Sequence, residues 1–346
     1  MKIALIHIRY IYKGGLETRL FNYIEYFLNR GDEVHLFTSK ISPDIKIPDG
    51  LIIHLINLKI IPKPVRNFFF NKRLKKRLRR KEYDFILSLE RTSRQFHVIA
   101  PSTHKGYLVA KRSKLYDLVD MLQIYLDKQA FMKAKIVYAC SEMIKNEIHD
   151  FYKINSNNIK VLYPPVNLAK FKPDLDKNMA RNQLNLHPGN KYFVLVSTSH
   201  KRKGLDLLLD VFADLPSNYH LLIAGTKIDS SLNNIHSLGF VKDMNTLYAA
   251  ADYLLHPAVY EPFGQIITEA FACRVPVLVS ERVGAKELVN DTNGILVPKL
   301  SKQAWQAAIL SLEGKNFSFE GIEDVLEELS LESHMRKMLN WAILKN

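Results

Sequence analysis

The chain is poor in cysteine and has no long apolar run. Its 346 residues include two cysteines, Cys140 and Cys273, too few for a disulfide framework and in keeping with a reducing compartment. Both stand among apolar neighbours (VYACSE and AFACRV), which marks them as core side chains. No stretch approaches the ~20 apolar residues of a membrane span. The N-terminal MKIALIHIRY is interrupted by His7 and Arg9 and is too short for the apolar region of a signal peptide. These absences predict a protein that stays in the cytoplasm. Short-period repeats are missing too, and no His, Cys, Asp or Glu cluster has metal-ligand spacing, so neither a metal nor another cofactor is expected. Asp174-Leu175-Asp176 is a D-x-D placed in a polar linker rather than at a strand end, and reads as a solvated loop. The first strand-to-helix turn lacks G-x-G-x-x-G, which argues against a nicotinamide-dependent enzyme.

Acidic residues are in deficit. Lys and Arg number 49 against 35 Asp and Glu, a formal charge of +14. Ten of those cations, and no acid, lie between Lys63 and Lys81, so much of the excess is a local patch that asks for an anionic partner. Within it Phe70, Leu74 and Leu78 recur at i, i+4 and i+8, an apolar stripe ringed by cations that include Arg73, Lys76, Arg77 and Arg80. Such a helix suits an anionic membrane surface or a phosphorylated glycolipid, with the stripe dipping inward. The stripe could instead pack on its own domain, leaving the cations solvated. Nucleic acid is not expected, because no recognisable binding module accompanies the patch.

The length suits two domains. The first half reads as a strand (Lys2 to Ile8), a glycine turn (Gly14-Gly15), a helix (Glu17 to Asn29) and a second strand (Glu33 to Thr38), a βαβ unit that implies a parallel sheet. Asp84 to Leu89 and Lys135 to Ala139 read as later strands of that sheet. Pro164-Pro165 breaks the pattern, and alternation restarts with strands at Tyr192 to Ser197, Tyr219 to Ala224 and Val275 to Ser280. We therefore expect an α/β chain with domains over residues 1–165 and 166–330, and a C-terminal helix over 331–346 packing back on the first.

The most informative stretch is YEPFGQIITEAFACRVPVLVS, Tyr260 to Ser280. Glu261 and Glu269 stand eight positions apart around Gly264. A loop carboxylate is followed by a helix start whose free amides attract phosphate, and the helix carries the second carboxylate. Two such carboxylates can accept hydrogen bonds from sugar hydroxyls, which is the chemistry of holding a nucleotide sugar. Earlier, STSHKRKGLDLLL places Arg202 and Lys203 between a strand and a helix, where two cations can offset a diphosphate.

These residues resemble the E-x7-E motif of the retaining glycosyltransferases of family 4, also called glycosyl transferases group 1. That family has the GT-B fold, two Rossmann-like doubly wound domains facing a cleft. Gly14-Gly15-Leu16-Glu17 resembles its GG-x-E loop, Arg202-Lys203-Gly204-Leu205-Asp206 its R/K-K-G-x-D element, and LGFVKDMNTLYAAADYLLHPAVYE its approach to the E-x7-E. VGAKELVNDTNGILV resembles the element that closes the donor pocket, with Gly294 structural.

The resemblance implies that Glu261 orients the donor sugar and Glu269 the ribose, while Phe240 and Val241 lie against the base. The amides around Gly264, Gln265 and Ile266 would hold the distal phosphate, with Phe263 also in the donor site; Arg202 and Lys203 would neutralise the leaving diphosphate, and Gly14 and Gly15 would leave room for the sugar. At the catalytic centre Ser102, His97 and His104 remain alternatives, with His104 taken as the candidate. Within the family, IYKGGLETRLFNYI and the segment from Glu90 to Leu108 resemble bacterial lipopolysaccharide-core glucosyltransferases. That implies a UDP-sugar donor such as UDP-glucose, an anionic glycolipid acceptor, and a peripheral position on the inner face of the cytoplasmic membrane. A family 4 enzyme acting on another glycan, or a GT-B epimerase, is the alternative.

Overall fold

A computed structural model describes residues 1–12 and 14–344; Lys13, in the expected glycine turn, and residues 345 and 346, the end of the expected last helix, lie outside the described residues. Two compact units emerge: Met1–Pro165 together with the helix Leu331–Ile343, and Val166–Ser330.

The first unit is a seven-stranded parallel sheet of β1 (Lys2–Ile6), β2 (Glu33–Thr38), β3 (Leu51–Leu55), β4 (Phe85–Ser88), β5 (His97–Ala100), β6 (Ile136–Ala139) and β7 (Ile159–Val161), in the order β3-β2-β1-β4-β5-β6-β7. Strand order therefore reverses between β1 and β4, the position at which open α/β sheets bind ligands. Helices α1 (Gly15–Asn29), α2 (Arg66–Arg77), α3 (His104–Ala110), α4 (Leu118–Lys133) and α5 (Glu142–Tyr152) connect the strands. Helix α1 forms where Leu20, Tyr23, Ile24 and Phe27 recur at i, i+3, i+4 and i+7, and all four are buried against the sheet. The helix Leu331–Ile343 adds Met335, Met338 and Leu339 to the same core. It is pinned there by Tyr138 Oη donating to the Met338 carbonyl at 2.9 Å, and by His334 bridging Tyr23 Oη and the Tyr163 carbonyl.

The second unit repeats the plan with six parallel strands: β8 (Lys191–Ser197), β9 (Tyr219–Gly225), β10 (Ile235–Gly239), β11 (Tyr253–His256), β12 (Val277–Ser280) and β13 (Gly294–Val297), in the order β10-β9-β8-β11-β12-β13. Its reversal lies between β8 and β11. The helices are α6 (Lys177–Gln183), the one-turn α7 (His200–Lys203), α8 (Leu205–Phe212), α9 (Met244–Ala250), α10 (Gln265–Ala272), α11 (Lys302–Leu310) and α12 (Ile322–Glu328).

The cationic helix differs from one of its expected forms. Phe70, Leu74 and Leu78 are 1%, 0% and 2% exposed and pack with Ala4, Ile6 and Ile86, so the stripe faces its own sheet and is not available to dip into a bilayer. Packing on the sheet removes these three large apolar side chains from water without a lipid surface. Two of the four candidate contact cations are also committed: Arg77 donates to the Leu55 carbonyl, and Arg80 donates to the Gln95 carbonyl and lies over the Phe96 ring. Lys76 stays exposed and Arg73 half-buried. Among the described residues no helix is long and apolar enough to cross a membrane.

Truncating a core side chain of this kind should cost about 3–5 kcal/mol. Phe70→Ala should therefore lower the urea midpoint markedly in the absence of any lipid; an unchanged midpoint would return the stripe to the surface.

Candidate functional site

In the second unit the chain leaves β8 through Ser199 and the single turn of α7, and re-enters at Gly204 with φ of 74°. A Cβ at Gly204 would stand 2.2 Å from the Pro257 carbonyl oxygen, so only glycine lets this turn lie against the loop that follows β11. That approach carries Arg202 and Lys203 onto Glu261. Arg202 Nη1 donates to Glu261 Oε2 at 2.9 Å and Lys203 Nζ lies 3.2 Å from the same oxygen. Arg202 also donates to the Tyr260 carbonyl, while its own carbonyl accepts from Val259 N. Glu261 is fixed at the backbone as well: its N–H donates to the Arg282 carbonyl and its carbonyl accepts from Gly284 N.

Burial would push the Glu261 carboxyl up, yet Lys203 and Arg202 hold it below the usual range. His256, the last residue of β11, lies beneath with Nε2 3.7 Å from the same oxygen. Burial, then Lys203 and Arg202, drive its pKa down to about 3. The imidazole is therefore neutral at pH 7, and the charges that keep Glu261 ionised are those of the two cations.

Glu269 lies on α10, which begins at Gln265 after Gly264 with φ of 99°. Its Oε2 accepts from Tyr248 Oη at 2.9 Å, and burial raises its pKa. Gln265 and Ile266 are half-buried in the first turn, whereas Phe263 is 4% exposed and contributes its carbonyl to Ala285 N. Phe240 stands 88% exposed after the edge strand β10, with Val241 half-buried beside it, two strands from β8.

In the first unit Gly14, with φ of 106°, starts α1 at Gly15. Just beyond β1, His7 sits between two carboxylates: Nδ1 is 3.0 Å from Glu90 Oε1 and Nε2 3.9 Å from Glu17 Oε1, which also pairs with Arg9 at 2.8 Å. Burial would depress the imidazole, but Glu17 and Glu90 raise it to about 9, so it is an imidazolium at pH 7.

A cavity of about 120 Å³ opens at the same end of the sheet, walled by Leu16, Glu90, Arg91, Ser102 and Asp127. Of the three centre candidates, Ser102 lines it. His97 is 1% exposed, stacked between Phe85 and Tyr138, with burial taking its pKa down to about 4; it is a core side chain. His104 bonds Asp120 Oδ1 at 2.8 Å. Among the described residues no group of three or more His, Cys, Asp or Glu could hold a metal ion.

Sequence reasoning missed His7, His256 and Tyr248. A polar residue closing an apolar strand (IALIH, YLLH) is the signal that would have marked the two histidines.

Residues 13–170 match the family Glycosyltransferase Family 4, and residues 176–318 match Glycosyl transferases group 1. A probable transglycosylase of Burkholderia thailandensis is 27% identical over 282 residues, 80% of this chain and 77% of that one. The crystal structure of WaaG, a glycosyltransferase involved in lipopolysaccharide biosynthesis, superposes with a TM-score of 0.80 at 17% identity, covering 94% and 95% of the two chains. Anabaena HepE, in complex with UDP and glucose, gives 0.75 at 18% identity over 98% of each.

A histidine with a raised pKa stabilises the fold fully below its unfolded value of 6.5 and loses that contribution as pH rises through about 9. The stability gap between wild type and His7→Gln, read by urea unfolding, should be widest below pH 6.5 and narrow through that window. A constant gap would mean that His7 is not charged between its carboxylates.

Proposed function

The chain belongs to the GT-B glycosyltransferases, family 4 in its first half and group 1 in its second, and from that premise we propose that it is a retaining hexosyltransferase taking glucose from UDP-glucose. The observation that carries this reading is the convergence of Arg202 and Lys203 on one oxygen of Glu261, at the strand reversal of the second unit. Two part-buried cations held at a strand end, next to the amides that open α10, form a seat for a diphosphate. Arriving phosphate oxygens share those cations, and Glu261, held ionised, accepts a sugar hydroxyl. Glu269 takes the ribose. The HepE complexes with UDP and UDP-glucose support a uridine donor.

As the anomeric C–O bond breaks, its electron pair moves onto the diphosphate oxygen, where Arg202 and Lys203 stabilise the growing charge. The acceptor oxygen attacks the same face of the sugar and its proton passes to the departing phosphate, which keeps the anomeric configuration without a protein nucleophile. No metal ion is required in this scheme, since the two cations supply the compensating charge.

The acceptor we propose is an anionic glycolipid of the lipopolysaccharide-core type, met at the inner membrane surface. WaaG supports this by resemblance. So does a feature of the first unit: Leu118, Met121, Tyr125 and Met132 of α4, at i, i+3, i+7 and i+14, are 80%, 50%, 52% and 54% exposed. Lys111, Arg112 and Lys114 precede them, all exposed. Asp117 and Asp120 cap the helix itself, and the upstream cations outnumber them, so the exposed apolar stripe and its approach fit an anionic lipid surface.

Glu261→Ala should lower kcat/KM at least about 100-fold while leaving UDP affinity unchanged or higher, because it frees the cations. Lys203→Ala should weaken UDP binding by about 10–100-fold. Full turnover in the first variant, or undiminished UDP binding in the second, would sink the site. Separately, co-sedimentation with vesicles containing phosphatidylglycerol should fall sharply in a Leu118→Ser/Met121→Ser variant whose UDP binding is intact; retained binding would remove α4 from the lipid surface.

A further inference from the structure

We infer that Tyr248 is a positioning residue for nucleotide recognition, holding the Glu269 carboxylate in the orientation and charge state that accept the ribose hydroxyls; this rests on the reading of Glu269 given above.

Tyr248 belongs to α9, whose start is fixed by Asp243 accepting from Asn245 N and Thr246 N and from the Thr246 hydroxyl. Its ring is 0% exposed and meets the Phe171 ring edge-on at 6.0 Å. A phenol so placed has no water to satisfy it, and its hydrogen bond goes to Glu269 Oε2 at 2.9 Å. That bond occupies Oε2 and fixes the carboxylate plane. Oε1, which carries none of the described hydrogen bonds, is the oxygen left to accept from a ligand. A buried tyrosine that only filled space would need no carboxylate opposite, and a buried carboxylate that only paired with tyrosine would sit uncomfortably ionised.

The electrostatics agree with the geometry. Burial raises the Glu269 carboxyl, while the Tyr248 hydroxyl, Lys170 and Lys203 work against that rise. The phenol itself is raised well above its ordinary value by burial and by Glu269, so the shared proton stays on the tyrosine. Removing the hydroxyl therefore takes away the bond that favours the ionised carboxylate and lets it turn. Acceptance of two ribose hydroxyls needs the ionised form, so nucleotide affinity should fall as pH drops through the raised pKa, and should fall at higher pH once the hydroxyl is gone.

The test is calorimetric binding of UDP and of 2′,3′-dideoxyuridine diphosphate to the full chain, wild type and Tyr248→Phe, across pH. Wild type should prefer UDP, Tyr248→Phe should lose about tenfold in UDP affinity with little change for the dideoxy compound, and the acid limb of UDP binding should move to higher pH. Tyr248→Phe/Glu269→Gln should be no weaker than Glu269→Gln alone, because the tyrosine acts through the carboxylate. A variant that keeps both the preference and the wild-type acid limb overturns the role of Tyr248 and leaves the ribose reading standing. A wild type with no preference overturns the ribose reading, and this inference with it. Should Tyr248→Phe not fold, replacing Tyr248 by a fluorinated tyrosine, whose more acidic phenol is the stronger donor, should move the acid limb of UDP binding to lower pH; an unmoved limb overturns the role of Tyr248.

Discussion

Two cations on a single carboxylate oxygen are the constraint from which the rest of the second unit follows. Lys203 and Arg202 can meet Glu261 only because Gly204 lets the α7 turn press against the Pro257 carbonyl, and because β8 and β11 are neighbours at the strand reversal. The ion trio is part-buried, its side chains 32%, 13% and 15% exposed, so a missing member leaves its partners' charge incompletely compensated. Its members are therefore supported from behind: the Glu261 loop is stitched to the loop after β12, and a neutral His256 closes the floor beneath. The arrangement has spare capacity of a useful kind, since a phosphate could take the cations that Glu261 now shares.

The first unit places a different ionic group at its own reversal. There one imidazolium serves two carboxylates, His7 between Glu17 and Glu90. The Ile8 N–H donates to Glu90 as well, so the group ties the exit of β1 to the exit of β4 and fixes the start of α1 beside the small cavity that Ser102 lines. Both clusters arise for the same reason. In a parallel sheet covered on both faces the strand interiors are apolar, and polar chemistry gathers where strands end.

Much of this was legible in the sequence, and the limits were physical. The carboxylate pair, the cation pair and the glycines are short-range patterns that bare spacing leaves ambiguous; it was their resemblance to family 4 motifs that let Glu261, Arg202 and Lys203 be named together before any distance was known. Strand β1 ends at Ile6 rather than Ile8, because His7 turns aside to its carboxylates; the apolar run could mark the histidine, but its partner Glu90, beyond β4, lies outside any local pattern. The stripe of Phe70, Leu74 and Leu78 has the same periodicity whether it faces a sheet or a bilayer; only the complementary surface of β1 and β4 decides. Helix α4 was unreadable for the opposite reason, since it is apolar on its buried and exposed faces alike and shows no one-sided pattern.

The central claim is that the Glu261 cluster seats the nucleotide diphosphate. A crystal structure of the chain with UDP, grown without divalent metal, tests it most directly. The account predicts phosphate oxygens within hydrogen-bond distance of Arg202 and Lys203, with the ribose hydroxyls on Glu269. Nucleotide bound elsewhere in a crystal that leaves this cluster accessible, with the ion trio unchanged, would contradict it.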